Sequence, residues 1–193
     1  MLLVYIHGAS ATSESFNYIR QHFTEYENIV INYDSRNGFE KNLADMRYQL
    51  NKYHSIFFIC HSLGGIYALH LADELKDKVI GAVTLSTPYG GAEVADVAKY
   101  FLPYSRLLKD IGPSSWAMRH AASIHIPHKW INIVTTKGSS PWVPQPNDGV
   151  VTIASQKTRA DIMELIELDY NHYEIVLSDQ VVGIIRDRIL SSP

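Results

Sequence analysis

The chain has 193 residues, 46% of them hydrophobic and 19% charged, with a formal net charge of −3. That length fits one domain with one shared core, and the balance of apolar and charged residues excludes an intrinsically disordered chain. A slightly negative chain offers no electrostatic reason to expect nucleic acid as a partner, and a lone Cys60 excludes an internal disulfide framework.

In chain order, Leu2-Leu3-Val4-Tyr5-Ile6 is a buried-strand run that ends near Gly8, after which Phe16, Ile19 and Phe23 fall on one helical face. Residues 29–33 read as the next strand. Beyond the turn signal Asn37-Gly38, the stripe Leu43, Met46, Leu50 and Tyr53 predicts a helix, followed by a strand over 56–60. A helix is expected to start just past Ser62, and a strand over 79–85 stops at Thr87-Pro88, because proline cannot donate to a ladder. The alternation then breaks, and about 88–127 reads as a short helical cap insertion. The sheet resumes at 129–134, and a loop rich in Pro, Ser and Gly fills 137–149. Residues 162–168 are read as a strand, and Ser178 or Asp179 caps a last helix with Val181, Val182, Ile185 and Ile189 on its apolar face. Strands alternating with helices predict an α/β fold: one domain over 1–193, with a mostly parallel twisted sheet of about six strands and helices on both faces.

The run Leu2 to Ile6 is too short for a signal-peptide core and has no basic flank, so the expected location is cytoplasmic. No apolar run approaches the ~20 residues that a transmembrane helix requires.

The segment Ile59-Cys60-His61-Ser62-Leu63-Gly64-Gly65 sets a serine between a strand and a helix, the arrangement of a nucleophile elbow. The bland reading is a helix cap, but the strand, turn and helix around Ser62 favour a nucleophile. Small residues two positions away relieve the crowding of so sharp a turn; Gly64 does this, and Cys60 stands where glycine is usual. Acyl transfer also needs two preorganised N–H donors for the developing oxyanion. These are assigned to Leu63 and to Ala9, in the turn His7-Gly8-Ala9, with His7 read as a buried brace.

Serine needs an imidazole to take its proton. Of nine histidines, His172 is the best placed, between the last strand and the C-terminal helix. Strand alternation points His61 away from the serine, and His22, His54 and His70 read as structural or solvated. His120, His125 and His128 lack a metal-ligand pattern, so no metal and no cofactor are expected. Asp148, in Asn147-Asp148-Gly149, is the chosen acid, although such a sequence is also an ordinary turn; Asp34 is the reserve.

Taken together, His7-Gly8-Ala9, His61-Ser62-Leu63-Gly64-Gly65, Ser86-Thr87-Pro88-Tyr89-Gly90-Gly91, Asp148-Gly149-Val150-Val151 and His172 resemble the compact bacterial lipase and esterase branch of the α/β-hydrolases. The resemblance spans nearly the whole chain, with Cys60 and Tyr89 departing from the more frequent glycine and histidine. It implies a Ser62-His172-Asp148 triad and a small-molecule or lipid ester as substrate. Phe101, Leu107 and Trp116 of the cap, with Tyr89 at its base, are the candidate lining of a substrate pocket; the plainer reading is that they cover the sheet. A thioesterase or acyltransferase with the same triad, and a non-catalytic binding protein on the same fold, are the alternatives.

Overall fold

Apolar runs buried on both faces need layers on both sides, and the computed structural model, which describes residues 1–90, 115–126, 129–140 and 143–191, supplies them. Strands β1 (Leu2–Ile6), β2 (Glu27–Ile31), β3 (Ile56–His61), β4 (Val79–Leu85), β5 (Lys129–Thr135) and β6 (Glu164–Leu168) form one sheet in the order β2-β1-β3-β4-β5-β6. Every neighbouring pair is parallel, so the C-terminal ends of all six strands open on one edge. The described α-helices are α1 (Asn17–Arg20), α2 (Phe39–Leu50), α3 (Leu63–Leu75), α4 (Trp116–Ser123), α5 (Ile153–Gln156) and α6 (Asp179–Leu190).

Period-two alternation sorts the strand side chains into two cores. Leu2, Val4, Ile6, Ile56, Phe58 and Cys60 join the buried faces of α2, α3 and α4. On the other side Leu3, Tyr5, Phe57 and Ile59 meet Phe16, Ile19, Phe23 and the Val181, Val182, Ile185 and Ile189 stripe of α6. Each such side chain, fully buried, stabilises the fold by about 1.5–3 kcal/mol relative to exposure. The hydroxyl of Ser178 caps α6 by accepting from the Val181 N–H at 3.4 Å.

The sequence expectations differ from this fold in particular places. β2 ends at Ile31 rather than at 33, because Tyr33 leaves the ladder to stack on His7, with ring centroids 4.5 Å apart and planes 6° from parallel. Phe16, Ile19 and Phe23 all reach the core, yet they do so from a 3-10 turn, one α-turn and the loop beyond, not from one helix. Residues 164–168 form the strand expected within 162–168. Of the cap expected over 88–127, helix α4 is described, whereas Phe101 and Leu107, with Val94, Val97, Leu102, Tyr104, Leu108 and Ile111, lie outside the described residues. Among the described residues no helix is long and apolar enough to cross a membrane.

Candidate active site

The turn from β3 into α3 is built around Ser62, whose φ of 53° and ψ of −123° are a strained backbone conformation for a non-glycine residue. Neighbours hold that strain in place. The Ser62 N–H donates to the Leu85 carbonyl at 2.8 Å, and the Ser62 carbonyl accepts from Gly65 N–H at 3.0 Å and from the Thr87 hydroxyl at 3.1 Å. Gly64 is dictated by close approach: a Cβ there would lie 2.1 Å from the Ile6 carbonyl oxygen. Cys60 fits at the end of the same strand as a fully buried core residue.

Leu63 opens α3, so its N–H is one of those that helix geometry leaves without an intrahelical acceptor. Opposite it runs the loop after β1, close enough that a Cβ on Gly8 would sit 3.1 Å from Ser62 Cβ. Ala9 follows on that loop. His7 braces it: the buried ring donates through Nδ1 to the Gly8 carbonyl at 2.8 Å, and the His7 carbonyl accepts from the Tyr33 hydroxyl at 3.1 Å. Burial lowers the pKa of His7, outweighing its bond to Gly8, which favours the neutral ring.

Asp148 and His172 meet beyond the ends of β5 and β6. His172 Nδ1 lies 2.8 Å from Asp148 Oδ2, and both side chains are buried. The main chains are paired as well, with the His172 N–H on the Asp148 carbonyl at 3.0 Å. Asp148 Oδ1 accepts the N–H groups of Val150 (3.0 Å) and Val151 (2.7 Å), while Oδ2 also accepts the Thr135 hydroxyl (2.5 Å) and the Gln156 amide (3.2 Å). Burial pushes the carboxyl up, but the bond to and charge of His172, helped by Thr135 and Val151, outweigh it and hold Asp148 below its ordinary value. A buried carboxylate so supplied with donors stays ionised and fixes the imidazole it faces.

Asp34, the reserve acid, stands elsewhere, 41% exposed and paired with Arg36 at 2.7 Å. Among the described residues Ser62 Oγ makes no hydrogen bond; the bonds of Ser62 are those of its main chain. His61 corrects the expectation that it points away. Its ring lies 4.8 Å from that of His172, centroid to centroid, and its Nε2 is 2.8 Å from the His172 carbonyl oxygen. Tyr89, expected to line a pocket, is instead a core residue, 5% exposed, its hydroxyl donating to Thr84 Oγ1 and accepting from Trp130 Nε1. Trp116 is 48% exposed and stacks on His120. His120 bonds Asp73 and His125 the Ser123 carbonyl, while His128 lies outside the described residues. Among the described residues no cluster of three or more His, Cys, Asp or Glu is placed to hold a metal ion.

Thr135, Gln156 and His61 are the site residues that sequence reasoning missed. Thr135 ends a strand at the sheet's C-terminal edge, a position that marks candidates; Gln156 carried no comparable signal.

The sequence pattern of the alpha/beta hydrolase family matches residues 3–157. The chain is 27% identical to triacylglycerol lipase 2 of Saccharomyces cerevisiae over 67% of its own length and 49% of the yeast protein, so it spans about half of that curated relative. Among solved structures, the mature lipase BlEst2 of Bacillus licheniformis aligns with a TM-score of 0.70 at 16% identity, over 96% of this chain and 90% of that one. The metagenomic carboxyl esterase MGS0156 aligns with a TM-score of 0.69 at 16% identity, over 89% of this chain and 64% of that one. At these identities the structural likeness is one of fold.

Proposed function

Because the chain belongs to the α/β-hydrolase family, we propose that it hydrolyses carboxylic esters through an acyl-enzyme formed on Ser62. The observation that carries this reading is the 2.8 Å bond between the buried carboxylate of Asp148 and the imidazole of His172, at the same sheet edge as a serine in a strained strand-to-helix turn. With Nδ1–H committed to Asp148, Nε2 of His172 carries the lone pair and serves as the base.

His172 Nε2 takes the Ser62 proton as Oγ attacks the ester carbon, and the carbonyl π electrons move onto oxygen. The N–H groups of Ala9 and Leu63 stabilise that oxyanion. Collapse expels the alkoxide, which receives the proton from His172. Water then repeats the sequence on the acyl-enzyme, releasing the acid and restoring Ser62. Asp148 stays ionised throughout, holding the ring in one tautomer and stabilising the imidazolium. The names of the similar proteins, two lipases and a carboxyl esterase, support an ester as substrate.

The test is a panel of p-nitrophenyl esters of increasing acyl length beside matched thioesters, assayed with the parent chain and Ser62→Ala. Oxygen esters turned over by the parent and not by the variant are the expected result. Turnover confined to thioesters would move the substrate class to thioesters, and ester turnover retained by Ser62→Ala would end the reading.

A further inference from the structure

His61 closes β3 one residue before Ser62, and its ring is nearly sealed from solvent at 5% exposure. Nε2 lies 2.8 Å from the carbonyl oxygen of His172, a residue 111 positions away in sequence. A carbonyl only accepts, so Nε2 carries the proton and Nδ1 the lone pair. Nδ1 is buried and has no partner among the described residues. Burial first, and the neighbouring His172 second, lower the His61 pKa to about 3, so the ring is a neutral single donor at neutral pH.

That bond completes a set of restraints on one residue. The N–H of His172 is held by the Asp148 carbonyl at 3.0 Å, and its Nδ1 by the Asp148 carboxylate at 2.8 Å. Both of these come from the acid's loop. The bond at the His172 carbonyl comes instead from the strand that carries the nucleophile. Without it, nothing in this set ties the loop bearing the imidazole to the turn bearing the hydroxyl. A merely space-filling side chain would need no donor here, and the orphaned Nδ1 is a stability cost that such a filler would avoid.

We propose that His61 is a positioning residue of the ester-hydrolysis reaction, fixing through its Nε2–H the main chain of His172 and hence the distance between the imidazole and the Ser62 hydroxyl. This rests on the reading of Ser62 and His172 as nucleophile and base. His61 touches neither substrate nor reacting atoms. Its effect falls on the transition state, where proton transfer depends on sub-ångström placement, and not on substrate binding.

The experiment measures kcat and KM on p-nitrophenyl butyrate for the full chain and for His61→Leu, His61→Gln, His61→Asn and His172→Ala, with thermal unfolding of each. Leu keeps the volume and removes the donor; the Gln amide reaches about as far as Nε2, and the Asn amide falls one methylene short. His61→Leu is expected to lose about 10- to 100-fold in kcat, the scale of a misplacement near 1 Å, with KM within about two-fold. His61→Gln is expected to recover most of the loss and His61→Asn little of it. Should His61→Leu fail to unfold cooperatively, the Gln and Asn pair decides. Equal activity of Gln and Asn, or parental kcat in a folded His61→Leu, overturns the proposal while an inactive His172→Ala leaves the underlying reading in place. An active His172→Ala overturns that reading itself.

Discussion

The carboxylate of Asp148 gathers five hydrogen-bond donors in a space closed to water, and their combined effect fixes both its charge and its direction. Replacing it by Asn leaves the volume and removes the ability to accept Nδ1–H reliably in one orientation. The amide can turn its NH2 toward His172 and select the wrong tautomer. Asp148→Asn is therefore expected to lower kcat by about four orders of magnitude, with the fold retained as read by circular dichroism. Asp34→Asn is expected to change kcat by less than about two-fold, since the Asp34 carboxylate serves Arg36 and the main chain of its own turn. A large loss in the Asp34 variant alone would reassign the acid. What was legible in the sequence at this scale is local setting: the strand-turn-helix around Ser62, and the positions of Asp148 and His172 after β5 and β6, whose 2.8 Å pairing the fold then supplies; their roles in catalysis are the proposal. His61 was misjudged because alternation states which face a side chain leaves, not which loop arrives beside it.

At the scale of elements, α5 is only one turn long, yet it joins three parts of the molecule. Gln156 donates to Asp148 Oδ2 and to the Thr135 carbonyl and accepts the Thr135 N–H, while its own carbonyl accepts from Asn132. One residue before it, the Ser155 carbonyl takes the Gly90 N–H at the exit of β4. Just beyond, Arg159 caps the end of α4 by donating to the carbonyls of Ala121 and Ile124. Gln156→Leu removes a donor from a buried carboxylate and strands the Thr135 N–H. It is expected to cost about 1–3 kcal/mol of stability, read as a lower urea midpoint, and to lower kcat about ten-fold with little change in KM. An unchanged midpoint would mean that α5 does not brace the acid. The strands were legible because burial on both faces writes continuous apolar runs. The segment from Phe16 to Phe23 was not, because a stripe of buried side chains fixes which residues face inward and leaves the pitch of the backbone open. Gln156 was illegible for a related reason: its partners converge only after β5 and α5 pack.

Across the whole molecule, buried neutral histidines set how stability responds to acid. His70 is 1% exposed, donates to the Ala117 carbonyl and has its pKa lowered by burial to about 4; His61 is lowered further, to about 3. In the unfolded chain both titrate near ~6.5. Below that value the unfolded state takes up protons that the folded state refuses, so stability falls as pH drops, by about 1.4 kcal/mol per pH unit for each such ring. Asp148 acts in a lower window: its folded pKa is depressed, so its contribution persists above ~3.9 and is lost further down. Urea unfolding between pH 6.5 and 4.5 should thus show a steady decline, and His70→Gln, which keeps a donor without a titrating ring, should flatten it by about one ring's share. Equal slopes would show that His70 is already charged in the fold. Activation of the Ser62 hydroxyl by His172 is open to fluorophosphonate labelling followed by mass spectrometry of the parent chain, Ser62→Ala and His172→Ala. A single adduct is expected on the peptide carrying Ser62, absent from the first variant and formed far more slowly in the second. Labelling that proceeds unchanged in both variants would mean that neither residue 62 nor residue 172 serves the reaction.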